Sequence, residues 1–191
     1  GACAMKCINF DRAFETYMGA WIKENSEKYK DNMDVIENMM PDVYMEFLQK
    51  PANFLNGIAP QDYFEQFDDA EMLTEWLCQY IHEGVPVPDL LLERITELGE
   101  KAEKSLLALL GQKDLPEETR MTVISLLREM ESVEPMETYI KWIAALEEPS
   151  DLGDLCAEAL LSMGCEVVEP VLGALAQAGQ AGRDIFADIL S

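Results

Sequence analysis

The single histidine, His82, stands four residues after Cys78 in "WLCQYIHEG", a spacing that puts both side chains on one face of a helix. A thiol and an imidazole so placed are the minimum for a nucleophile and its general base. Their neighbours argue for packing instead. Cys78 lies within an apolar run, where buried thiols are inert. His82 falls near a helix C-terminus, where an imidazolium complements the dipole. Cys3 and Cys7 have three residues between them and no histidine nearby. Zinc takes four ligands from closer Cys pairs or Cys/His sets, so these two read as thiols of a frayed terminus. Cys165, in the Met163-Gly164-Cys165 corner of "ALLSMGCEVVEPVLGALAQAG", is the remaining thiol that invites attention as a reactive site.

Carboxylates are the other abundant chemical resource. The chain holds 37 Asp and Glu against 14 Lys and Arg, a formal net charge of −23, and the excess runs through both halves rather than forming a tail. Crowding of this kind makes neighbouring acids uninformative. "FDDAEMLTE" lacks the alternating oxygens and central glycine of a calcium loop. The phosphate loop, the dinucleotide glycine pattern, the zinc-protease pair and the serine elbow are all missing from the sequence. The expectation is no cofactor, no metal and no catalytic residue. A field this negative repels nucleic-acid phosphates and anionic membrane surfaces, and it suits a basic protein partner or simply a solvated surface. Five cysteines, an odd count without a leader pattern, point to reduced thiols and a cytoplasmic setting. No apolar run approaches the roughly 20 residues of a membrane span. Gly1 is not an initiator, Met5 offers one, and residues 1–4 are set aside from the fold.

The elements that would carry these groups are helical throughout, because 3.6-residue periodicity recurs and β-branched alternation does not. Phe10, Phe14, Tyr17 and Trp21 put four aromatics on one face of a first helix. "DNMDVIENMM" predicts a second helix that stops at Pro41, where the ring meets the preceding turn, and "PDVYMEFLQK" a third that starts there and ends before Pro51. The methionines of "NMDVIENMM" suit core filling, or an adaptable binding surface. Pro60 opens a short helix, and a longer one runs from about Ala70 to Ile81, capped by Asp68 or Asp69. The two prolines of "EGVPVPD" mark a boundary, giving a helical region 1–84 and a second region 85–191.

The second region repeats itself at 32 to 33 residues. Leu91, Val123 and Cys156 correspond, as do Ile95, Leu127 and Leu160, then Leu98, Met130 and Met163. In the following helices the matching sets are Ala102, Pro135 and Val167; Leu106, Tyr139 and Val171; Leu107, Ile140 and Leu172; Leu110, Ile143 and Leu175. The units span about 86–113, 116–148 and 151–179, with half a repeat at 182–191, where Ile185, Phe186, Ile189 and Leu190 face inward and Arg183, Asp184 and Asp188 outward. Two short helices cannot bury their own apolar face, so periodic hairpins imply stacking.

The corner patterns "LGEKAEKSLLALL" and "MGCEVVEPVLGAL" resemble short HEAT-like repeats of the phycobilisome-lyase-like kind over residues 86–191, with Glu131 replacing the corner glycine in the middle unit. The resemblance implies a right-handed α-solenoid of about three and a half hairpins, a scaffold for protein–protein contact whose second helices line the concave side. The outward positions of those helices are Lys101, Glu134 and Glu166; Lys104, Glu137 and Glu169; and Ala108, Lys141 and Gly173. This stripe begins basic and turns acidic, and its acidic end suits a basic helix or peptide. The expectation is therefore an all-α, non-catalytic interaction scaffold or adaptor. Two other readings stand beside it: an acidic inhibitor or nucleic-acid mimic on a basic partner, and an enzyme or metal-binding protein using acidic residues with His82.

Overall fold

In the computed structural model, which describes residues 7–30 and 32–191, about 75% of the chain is helical and the described residues form eleven α-helices. Among them the sole extended pairing is an isolated bridge between Ala52 and Ile58. The chain is all-α. None of the helices is long and apolar enough to cross a membrane. Residue contacts gather into two units, Gly1–Ile95 and Thr96–Ser191.

In the first unit, helix α1 (Phe10–Tyr29) starts at Asn9, whose side-chain oxygen accepts from the Arg12 amide at 2.9 Å. Three of the four aromatics predicted on one face pack onto other elements, while Trp21 stacks on Tyr29 of its own helix at 6.2 Å. Phe10 packs on Phe64 and Phe54, Phe14 on Tyr44 and Phe47, and Tyr17 on Phe47, with ring centroids 5.0–5.9 Å apart. Tilted and edge-on pairs at these distances add to the area that the rings bury.

Helix α2 (Met33–Gln49) corrects the expected stop at Pro41, because one continuous helix runs through that residue. Ile36, Val43 and Phe47, all buried, lie on both sides of the proline and share one face. Burying such side chains is worth about 1.5–3 kcal/mol each, enough to offset the roughly 3 kcal/mol of an interior proline. Pro41 and Glu37 are exposed, so water can serve the carbonyl that proline leaves without a donor.

Short helix α3 (Pro60–Tyr63) begins at its proline as expected. Helix α4 (Ala70–Glu83) takes Asp69 as its cap, with the Met72 amide donating at 3.1 Å, and ends at Gly84 in the left-handed region. Leu73, Leu77 and Tyr80 are fully buried, and the Tyr80 hydroxyl donates to the Ile8 carbonyl at 2.8 Å, fixing the segment before α1. Helix α5 (Asp89–Glu97) follows, where Arg94 donates to the Phe67 carbonyl at 2.9 Å.

The second unit holds α6 (Glu100–Leu110), α7 (Glu117–Glu129), α8 (Met136–Ala144), α9 (Asp151–Ser162), α10 (Val168–Leu175) and α11 (Gln180–Leu190). Neighbours in sequence touch (α6 with α7, α8 with α9, α10 with α11), and so do alternate helices: α7 with α9, α9 with α11, α8 with α10. The last helix is seated by main chain. The Gly179 amide donates to the Ala144 carbonyl at 2.9 Å and the Gly182 amide to the Leu146 carbonyl at 3.2 Å. A β-carbon on Gly182 would meet the Ile143 carbonyl oxygen, so only glycine permits this approach. Of the expected half repeat, Phe186 is fully buried, Ile185, Ile189 and Leu190 are half-buried, and Arg183, Asp184 and Asp188 are exposed.

Candidate functional site

The periodic positions show what the sequence register does in three dimensions. Leu91, Val123 and Cys156 are each 0% exposed, and so are Ile95, Leu127 and Leu160. In the second helices Ala102, Pro135 and Val167 are buried, as are Leu106, Tyr139 and Val171. Leu98, Met130 and Met163 are all half-buried. The corners agree as well. Gly99 has φ 61°, Gly164 φ 81°, and Glu131, the residue in their column, φ 56°. Behind Glu131 the Ser132 amide donates to the Leu127 carbonyl at 3.0 Å, a helix-ending pattern that needs a left-handed residue at that point.

Burying those columns turns the intervening positions outward. Lys101 and Lys104 lie on α6, Glu134 just before α8, Glu137 and Lys141 on α8, Glu166 in the 3-10 turn Gly164–Val167, and Glu169 on α10. All seven are exposed, as are Ala108 and Gly173 in the same register. The first two are cationic and four of the remaining five are carboxylates.

Beside it, a groove of about 420 Å³ between α6 and α8 is lined by Leu107, Leu110, Arg120, Pro135, Thr138 and Trp142, with Glu134 at its edge. The Arg120 guanidinium sits 5.0 Å from the Trp142 ring centroid, and its Nη2 donates to the Leu115 carbonyl at 3.4 Å. A smaller cavity of about 220 Å³ under the corners is bounded by Arg128, Glu131, Ser132, Tyr139, Ser162 and Met163. On the outer side Arg128 pairs with Glu158 at 3.2 Å, joining α7 to α9. The Ser132 hydroxyl donates to Glu103 at 2.8 Å, tying the middle corner to α6.

No family model, curated protein or solved structure matches this chain.

The thiols can be placed individually. Cys78 is half-buried, and burial with the nearby Glu75 raises its pKa, while His82 is exposed at the end of α4. A thiol held protonated is a poor nucleophile. Cys7 is pushed up to about 11 by burial, by donating to the Glu83 carboxylate and by the charge of that carboxylate. Cys3 lies outside the described residues. Cys156 is fully buried and Cys165 exposed, as the repeat register requires. Among the described residues no group of three His, Cys, Asp or Glu side chains is placed to hold a metal ion.

Sequence reasoning missed Arg120 and Trp142. Their pairing spans two helices and twenty-two residues of sequence, and neither belongs to a column of the repeat. An arginine in an otherwise acidic region was the one available signal.

Proposed function

We propose that residues 86–191 form a right-handed HEAT-like α-solenoid of about three and a half hairpins, and that the protein is a non-catalytic interaction scaffold or adaptor acting in the cytoplasm. The observation that carries this reading is the register itself. Four of the columns are buried in all three units, the same corner position has positive φ three times, and the outward positions of the second helices are all exposed. Stacked helical pairs present such positions as a continuous surface, which is how repeat proteins engage partners.

The contacting residues are Lys101, Lys104, Glu134, Glu137, Lys141, Glu166 and Glu169, and the partner is a protein with basic character at the acidic end. A net charge of −23 steers such a partner and disfavours nucleic acid.

Affinity capture from native cytosol, with wild-type protein and a variant carrying Glu134→Lys, Glu137→Lys, Glu166→Lys and Glu169→Lys, tests the proposal. The expected result is a stoichiometric protein partner, released as salt rises and lost in the variant, while circular dichroism shows both proteins equally helical. Capture of no partner, or equal capture by both, overturns it.

A further inference from the structure

On the second helices of the second unit, Leu107, Ile140 and Leu172 hold one register position, and Glu103, Met136 and Val168 hold the position one turn earlier. Their exposures diverge along the chain. Leu107, Glu103 and Met136 are half-buried and Ile140 is 7% exposed, whereas Leu172 is 53% and Val168 39% exposed. Helix α8 has α10 against it, while α10 is contacted by α8, α11 and its own preceding turn. Among the described residues α10 repeats the apolar spacing of α8, and its Val168 and Leu172 are left exposed. Val168, Leu172 and the exposed Ala176 follow at intervals of four, a seam on one helix face.

We propose that this face of α10 is a docking site for a basic amphipathic helix of a protein partner. The inference deepens the interaction reading above and rests on it. The shape of the occupant comes from the seam, since apolar side chains four residues apart on one helix face form a straight stripe that the apolar face of an amphipathic helix matches. Its charge comes from the surroundings. From Gly164 to Gly179 there is no Lys or Arg, Glu166 and Glu169 are exposed at the near end of the seam, and neighbouring α11 exposes Asp184 and Asp188 against the single cation Arg183. Lysines or arginines flanking the apolar stripe of the incoming helix would meet those carboxylates. A second copy of this chain is the wrong occupant, because it would set Glu166 and Glu169 against themselves between molecules of net charge −23.

The test uses the full chain and a labelled synthetic helix with leucines at i and i+4 and lysines on both flanks, followed by fluorescence anisotropy at about 0.15 M salt. Replacing both Val168→Ser and Leu172→Ser should weaken binding by roughly tenfold or more, because both side chains are desolvated in the complex. Leu161→Ser on α9, a residue 56% exposed elsewhere on the surface, should leave affinity within about twofold. Glu166→Gln with Glu169→Gln should weaken binding and flatten its salt dependence. All substituted residues are exposed, so each variant should retain the wild-type circular dichroism spectrum.

Equal loss with Leu161→Ser would mean non-specific apolar adsorption and overturns the site. If the double serine variant binds the probe as wild type does, yet Glu134→Gln with Glu137→Gln abolishes binding, the α10 site falls and the wider interaction surface stands. Failure of the probe to bind at all, while cytosolic capture still yields a partner, has the same meaning. A dimer in sedimentation equilibrium that the double serine variant dissolves would make a second copy the occupant and overturns the basic helix.

Discussion

Cys156 shows at residue scale how position governs a thiol. It occupies the column of Leu91 and Val123, is fully buried, and has its pKa pushed up to about 12 by that burial, with Arg120 opposing the rise. The unfolded chain ionises this thiol near the ordinary value of 9.0, so above that pH the unfolded state releases a proton that the folded state retains. Stability from this group is therefore complete below about pH 9 and is lost as pH climbs toward 12. Cys156→Val, which installs the residue of the preceding unit, should leave the urea midpoint at pH 7 nearly unchanged. Between pH 9 and 11 it should remove a decline of up to about 1.4 kcal/mol per pH unit. An identical alkaline slope in wild type and variant would place the titration elsewhere, Tyr80 and Tyr139 being the next groups that burial raises. The column assignment that placed Cys156 inside and Cys165 outside was legible from spacing alone. The Arg120–Trp142 contact was not, because side chains that meet across helices leave no periodic trace.

Among the elements, the corners and α2 teach opposite lessons. Two corners carry glycine and advertise themselves, while the third also has positive φ but holds Glu131, whose β-carbon makes φ 56° costly. The fold demands the shape and the sequence does not always supply the cheapest residue for it, which is why the middle unit was the hardest to recognise. Glu131→Gly should then stabilise the protein by roughly 0.5–1 kcal/mol, read as a higher urea midpoint with unchanged slope. A destabilised variant would mean that the Glu131 side chain makes a contact outweighing the strain. Helix α2 is the reverse case. Pro41 gives a strong local stop signal, but Ile36, Val43 and Phe47 continue one buried face across it. Local chemistry placed the helix beginning at Ala70 and offered Asp69 as one of two caps for it, while the Asn9 and Gly84 caps emerged only in the fold, and it failed where tertiary burial outweighed a single residue.

At the scale of the whole molecule, charge is the dominant global property. With net charge −23 and few cations to offset it, the folded chain works against its own repulsion. Among the described residues Lys50–Glu46 and Arg128–Glu158 are exposed pairs of small worth. Screening should help. Raising salt from about 20 mM to about 300 mM shortens the screening length severalfold, and the thermal midpoint should rise by several degrees. A midpoint that falls with salt would show attractive pairs prevailing over the net field. The sign of this field was plain from composition, and the change from Lys101 and Lys104 to later carboxylates was legible in the register, whereas the exposure of each of those positions required the helices to be in place.

The main-chain seat of α11 has a further consequence for how the chain can vary. A helix start usually needs a Ser, Thr, Asp or Asn to receive its first amides, and Gly179 supplies no such side chain. Carbonyls at the end of α8 take that part for Gly179 and Gly182. The Glu147 carboxylate accepts from the Gln180 amide at 3.5 Å, so the joint is written in size as well as in a side chain far from the helix start in sequence. A β-carbon on Gly179 would meet the Leu146 carbonyl oxygen and one on Gly182 that of Ile143, so neither position takes a larger residue without a shift of backbone, and a search for capping signals would pass over the point where the last helix is held.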